Sequence, residues 1–140
     1  MRVFVDANVL VNIVQRKYPE YEVCARLLSL QGSLRFQLYT SPLCLAIAFY
    51  FAEKKSGTSE ALKKIRLLAQ NLNITICGPE ETQKAAKLKS APDFEDALEY
   101  ESALSSSCEV LVTYDTGDFF YAAIPVVKPM AFFEQFVFPS

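Results

Sequence analysis

Residues 2–12 read RVFVDANVLVN, and this stretch decides the fold. Val3, Phe4 and Val5 form an unbroken run of β-branched and aromatic residues, as a strand buried on both faces requires. The run stops on Asp6, Asn8 follows, and VLVNIV then resumes as an apolar helical segment. A carboxylate at the handover from buried strand to buried helix is costly to desolvate unless a backbone amide, an opposite charge or a metal meets it. Whether other acids reach the same place decides among these.

Outward from this point the chain alternates strands and helices. RVFV (2–5) is a strand and ANVLVNIVQRK (7–17) a helix, ended by Tyr18-Pro19. EYEVCARLLSL (20–30) is a second helix and FQLYT (36–40) the next strand. Ser41 as N-cap and Pro42 at the first position open the apolar helix SPLCLAIAFYFAEKK. Ser56-Gly57 breaks it before the helix TSEALKKIRLLAQNL (58–72). NITIC (73–77) is a third strand, and Gly78-Pro79 starts a helix with Glu80 and Glu81 in its first turn, where the dipole favours them. DFEDALEYESALSSS (93–107) is a helix, EVLVT (109–113) and IPVV (124–127) are strands, and PMAFFEQF (129–136) is a closing amphipathic helix. The alternation predicts an α/β fold: a central, mainly parallel sheet with helices on both faces.

At 140 residues the chain reads as one domain, 1–140. No window approaches the ~18 consecutive apolar residues of a membrane span. The chain opens on a strand-like VFV that Asp6 and Asn8 interrupt, unlike a signal peptide, so the expected location is cytoplasmic. Cys24, Cys44, Cys77 and Cys108 are far apart in apolar surroundings with no CxxC pair, which predicts buried free thiols. The chain has no histidine. Histidine-dependent nucleophilic catalysis and histidine-ligated zinc are therefore excluded. A net charge of -2 gives no global signature of nucleic-acid binding. Lys54, Lys55, Lys63, Lys64 and Arg66 crowd a short region, read either as a solvated helix face or as a patch that guides a phosphate backbone.

In sheets of this class, sites form beyond the carboxyl ends of the strands. Asp6 ends the first strand, Ser41 the second, and TYDTGDF brings Asp115 and Asp118 after EVLVT. On the helix after Pro92, Asp93, Asp96 and Glu99 fall at i, i+3 and i+6 along one broad face. Asp93 also suits an N-cap, and Asp96 the third helical position, where acids are welcome. Together the acids suit a hard cation such as Mg²⁺ or Mn²⁺, which prefers oxygen ligands and keeps several waters. An aspartyl-phosphate enzyme is the competing class, but DAN lacks the second aspartate of the dehalogenase DxD pattern.

VFVDANVLVN, SPLCLAIAFYFAEK, DFEDALEYESAL and LVTYDTGDF, in this order and at these separations, resemble the PIN domain, a nuclease fold that includes many VapC-type toxins. The resemblance spans roughly residues 2 to 136. It implies a metal-dependent endoribonuclease in which Asp6, Asp96, Asp115 and Asp118 bind Mg²⁺ or Mn²⁺ and activate water against an RNA phosphodiester. It further implies that Asn8 orients Asp6, and that Ser41 and Thr113 are the accompanying hydroxyls. An antitoxin and a second copy of the chain are the implied protein partners. One position departs from the pattern. The glutamate usual in the third helix is Ile47 here, and Asp93 or Glu99 would have to make up the lost charge. The same departure supports the alternative of a degenerate module that binds RNA or a protein without cutting.

Overall fold

The computed structural model describes residues 1–91 and 93–139. Five strands, β1 (Arg2–Val5), β2 (Gln37–Thr40), β3 (Asn73–Ile74), β4 (Val110–Val112) and β5 (Val126–Val127), form one sheet in the order β3-β2-β1-β4-β5. Every pairing is parallel. Successive residues of a strand point to opposite faces, yet Val3, Phe4 and Val5 are all buried, as are Val110, Leu111 and Val112. Both faces of the sheet are therefore covered.

The covering helices are α1 (Ala7–Val14), α2 (Glu20–Ser29), α3 (Pro42–Ser56), α4 (Thr58–Asn71), α5 (Pro79–Lys87), α6 (Phe94–Ser105) and the short α7 (Pro129–Phe132). The chain winds from β1 to β2 and β3 on one side, then returns past β1 to β4 and β5 on the other. The winding reverses between β1 and β4, the crevice where a parallel sheet can receive a ligand.

Several element ends differ from the sequence reading, each for a local reason. The first helix stops at Val14 rather than Lys17, because Arg16 adopts a left-handed backbone (φ 50°). The ammonium groups of Lys64 and Lys55 then donate to the freed carbonyls of Val14 and Gln15, as cations at a helix C-terminus should. The third strand is two residues long instead of five. Past Ile74, Thr75 still donates its amide to Thr40 (2.9 Å), but Ile76 turns to α6: its amide donates to Ser106 Oγ (3.2 Å) and its carbonyl accepts from Ser102 Oγ (2.9 Å). Side-chain hydroxyls thus replace the ladder.

The closing helix is also shorter than expected, giving way to a wider turn over Phe133–Val137. Arg35 donates to the carbonyls of Phe136 (2.9 Å) and Val137 (3.3 Å), and the fully buried Phe132 meets Phe36 edge-on at 5.5 Å between ring centres. All four cysteines are free; Cys24, Cys44 and Cys108 are buried, whereas Cys77 is only partly so.

Candidate active site

The carboxyl ends of β1 and β4 build one wall of the crevice. Asp6 leaves β1 in extended conformation (φ -74°, ψ 161°) with its own amide bonded to Val112 of β4 (3.0 Å). It therefore continues the sheet while its side chain caps α1: Ala7 N–H donates to Asp6 Oδ1 at 2.6 Å. Thr113, fully buried, donates its hydroxyl to Asp6 Oδ2 (2.7 Å). Asn8 then ties the two strand ends together. Its Nδ2 donates to Thr113 Oγ1 (2.9 Å) and Asp115 Oδ2 (3.1 Å), and its Oδ1 accepts from Tyr114 N–H (3.2 Å). Asp115 N–H closes the loop on Thr113 Oγ1 (3.1 Å).

The opposite wall is helical. Asp93 caps α6, accepting from the amides of Glu95 (2.7 Å) and Asp96 (3.2 Å) through one oxygen. Asp96, half-buried, and Glu99, one turn on and 1% exposed, project into the crevice. A pocket of about 610 Å³ results, lined by the carboxylates of Asp6, Glu20, Glu95, Asp96, Glu99 and Asp115 but by one ammonium, Lys17. Burial, then the charges of Asp93, Asp6 and Asp118, push the Asp96 carboxyl up to about 7. Burial and the Asp6 charge push Glu99 well above the usual carboxylate range. Glu95 is raised in the same way, by burial and then by Asp93 and Asp6.

Such a pocket favours a cation. One buried atom points the same way: Glu99 Oε2 has no hydrogen-bond partner. Its other oxygen lies 3.4 Å from Cys44 Sγ, and that thiol is 3.9 Å from Asp6 Oδ1. Ligand atoms of Asp6, Cys44 and Glu99 all fall within 4.8 Å of one another. Among the described residues this is the one such group of three; Asp96 and Asp115 line the same pocket without joining it.

The sequence-derived candidates divide accordingly. Asp6, Asn8, Asp96, Glu99 and Asp115 line one pocket, and Thr113 braces it from beneath. Asp93 and Ser41 act as helix caps; Ser41 Oγ accepts from Cys44 N–H at 3.0 Å. Asp118 is exposed on a short turn (Thr116–Phe119) and reaches the pocket only through its charge. None of Lys54, Lys55, Lys63, Lys64 and Arg66 lines the pocket. Lys63 pairs with Glu60 (3.2 Å) and Lys54 lies over the Tyr50 ring (4.4 Å). Ile47 does face the pocket, where the pattern has its glutamate. Sequence reasoning missed Cys44, Glu20 and Glu95. For Cys44 a signal existed: it precedes Ile47 by three residues and so shares its helix face.

A family profile for the PIN domain matches residues 2–117. Ribonuclease VapC1 of Aquifex aeolicus is 28% identical over 138 residues, covering 96% of this chain and 94% of that protein. Among solved structures, VapBC-1 of nontypeable Haemophilus influenzae superposes with a TM-score of 0.71 at 17% identity, covering 93% of this chain and 99% of that one. The Mycobacterium tuberculosis toxin VapC20, described as cleaving the sarcin-ricin loop, gives 0.68 at 15% identity, covering 87% and 95%. VapBC2 of Rickettsia felis, bound to promoter DNA, gives 0.69 at 17%, covering 91% and 98%.

Proposed function

This chain belongs to the PIN domain family, and on that premise we propose that it is a divalent-cation-dependent endoribonuclease of the toxin type, held in check by an antitoxin. The observation that carries the reading is the convergence of Asp6, Asp96 and Asp115 on one pocket across 109 residues of chain. The relative named as a ribonuclease, the neighbour named as a toxin and the VapBC neighbours support the same reading.

Asp6, Asp96 and Asp115 would hold Mg²⁺ or Mn²⁺. Glu99, its carboxyl raised by burial and the Asp6 charge, would supply the negative charge that Ile47 removes from α3 on losing its proton to the ion. The bound ion supplies charge neutralisation for the scissile phosphate and a more acidic water. The chain's own residues do the rest. Thr113 and Asn8 fix the rotamers of Asp6 and Asp115, so neither carboxylate has to reorganise on binding. Asp96, with its carboxyl pushed up to about 7, would have to be deprotonated to hold the ion. Asp118 adds to the local field without touching the pocket.

The test is cleavage of structured RNA in Mn²⁺ by the wild type and by D6N. Metal-dependent cleavage that D6N abolishes is the expected result; equal cleavage by both ends the reading. The apolar Ile47 in the pocket wall favours a second reading, a module that binds RNA without cutting it. Measurable RNA association with no Mn²⁺ uptake at millimolar concentration would select that one.

A further inference from the structure

Cys44 reads in the sequence as one more core thiol, yet it lies between two carboxylates. Its Sγ is 3.4 Å from Glu99 Oε1 and 3.9 Å from Asp6 Oδ1. We propose that Asp6, Cys44 and Glu99 form a binding site for a thiophilic divalent cation of the zinc class, deeper in the pocket than the opening between Asp96 and Asp115.

Three observations carry it. The first is spacing. A tetrahedral ion with sulfur at ~2.3 Å and oxygen at ~2.0–2.2 Å sets its ligand atoms roughly 3.5–3.7 Å apart; the 3.4 Å and 3.9 Å from Cys44 to its two neighbours lie just to either side of that range. The second is Glu99 itself, 1% exposed, whose Oε2 is buried without a hydrogen-bond partner. Neither it nor Asp6 is in an ion pair among the described residues. The third is rigidity. Thr113 and the Ala7 amide hold the Asp6 carboxylate from both sides, and Ser41 caps the helix turn that carries Cys44. A cation arriving there meets donors that need not rearrange.

The donor set also fixes the class of ion. Sulfur contributes little to Mg²⁺ but strongly to Zn²⁺ and Co²⁺, so one thiolate among two carboxylates turns selectivity towards the softer metals. Binding displaces to solvent both the Cys44 thiol proton and the proton held on Glu99. The site shares Asp6 with the proposed nuclease centre but does not rest on that reading, since it needs neither Asp96 nor Asp115 nor any reaction on RNA.

Cobalt reports sulfur ligation directly. The metal-free full-length chain, titrated with Co²⁺, is expected to develop a sulfur-to-metal charge-transfer band that Zn²⁺ abolishes and Mg²⁺ does not. C44S is expected to lose the band and to weaken Zn²⁺ binding by at least the roughly 10–100-fold that follows loss of a ligand's supporting group. C77S is expected to keep the band. No band in the wild type, or a band that survives C44S, overturns the site. Should C44S fail to fold, X-ray absorption on the Zn²⁺-loaded wild type decides: one sulfur in the ion's shell supports the site and none overturns it. The nuclease reading is judged separately by Mn²⁺-dependent RNA cleavage, which these spectra do not touch.

Discussion

At the ends of β1 and β4, Asp6, Asn8, Thr113 and Asp115 hold one another in a closed set of hydrogen bonds. Across the pocket, α6 presents Asp96 and Glu99 to the same space with no ion pair among the described residues. The strand wall is finished by the protein; the helix wall is finished only by something that brings positive charge. The difference follows from backbone geometry. Two adjacent parallel strands deliver their end residues within hydrogen-bonding reach of each other, whereas a helix lines its acids up on one face, where here only the Cys44 thiol meets one of them.

The sharpest way to break this contrast is to remove the acid both walls depend on. D6N is expected to lower metal-dependent cleavage by roughly 10²–10³-fold or more, the scale seen when one pre-set electrostatic group is lost. RNA turnover against Mn²⁺ concentration checks it. Next comes the brace: N8A leaves every acid in place but frees Asp115, and should weaken Mn²⁺ binding by about 10–100-fold while far-UV circular dichroism stays unchanged.

The helix wall is tested by pH. The Asp96 carboxyl sits near 7 in the folded chain against an ordinary ~3.9, so the folded state prefers it protonated. That preference contributes fully below about pH 4 and is lost as pH rises through 7. The unfolding temperature of the metal-free chain should therefore fall across this window, with Glu99 and Glu95 acting in the same direction. D96N should flatten part of the fall, and Mn²⁺ binding should weaken below pH 7. A pH-independent unfolding temperature would show that the helix wall is not strained by charge. The smallest effect lies outside both walls. K64A removes a cation from the carbonyl end of α1 and should cost about 0.3–1 kcal/mol in denaturant unfolding, with RNA affinity unchanged. A loss of RNA affinity without loss of stability would instead return Lys64 to a phosphate-guiding role.

Much of this was legible in the residues. The unbroken apolar runs around Phe4 and Leu111 implied strands covered on both faces, and Asp6 and Asp115 fell beyond strand ends, where a parallel sheet gathers its polar groups. The i, i+3 spacing also put Asp96 and Glu99 on one face. Cys44 escaped because a cysteine in an apolar helix looks the same whether it faces a core or an acid. The basic cluster stayed open between two readings for a related reason. Sequence shows that Lys55 and Lys64 are close in the chain, but not that their ammonium groups turn back to unpaired carbonyls at the end of α1. The third strand came out short because its ladder partners were replaced by α6 serines, and nothing in NITIC announces that exchange.

The joining of Asn8 to Thr113 and Asp115 spans 105 and 107 positions. During synthesis the Asp6 carboxylate thus has only the Ala7 amide to hold it until the ribosome has added Thr113. A chain interrupted before that point has no finished pocket. Fragments that stop short of it therefore carry Asp6 without the Thr113 hydroxyl that fixes its carboxylate.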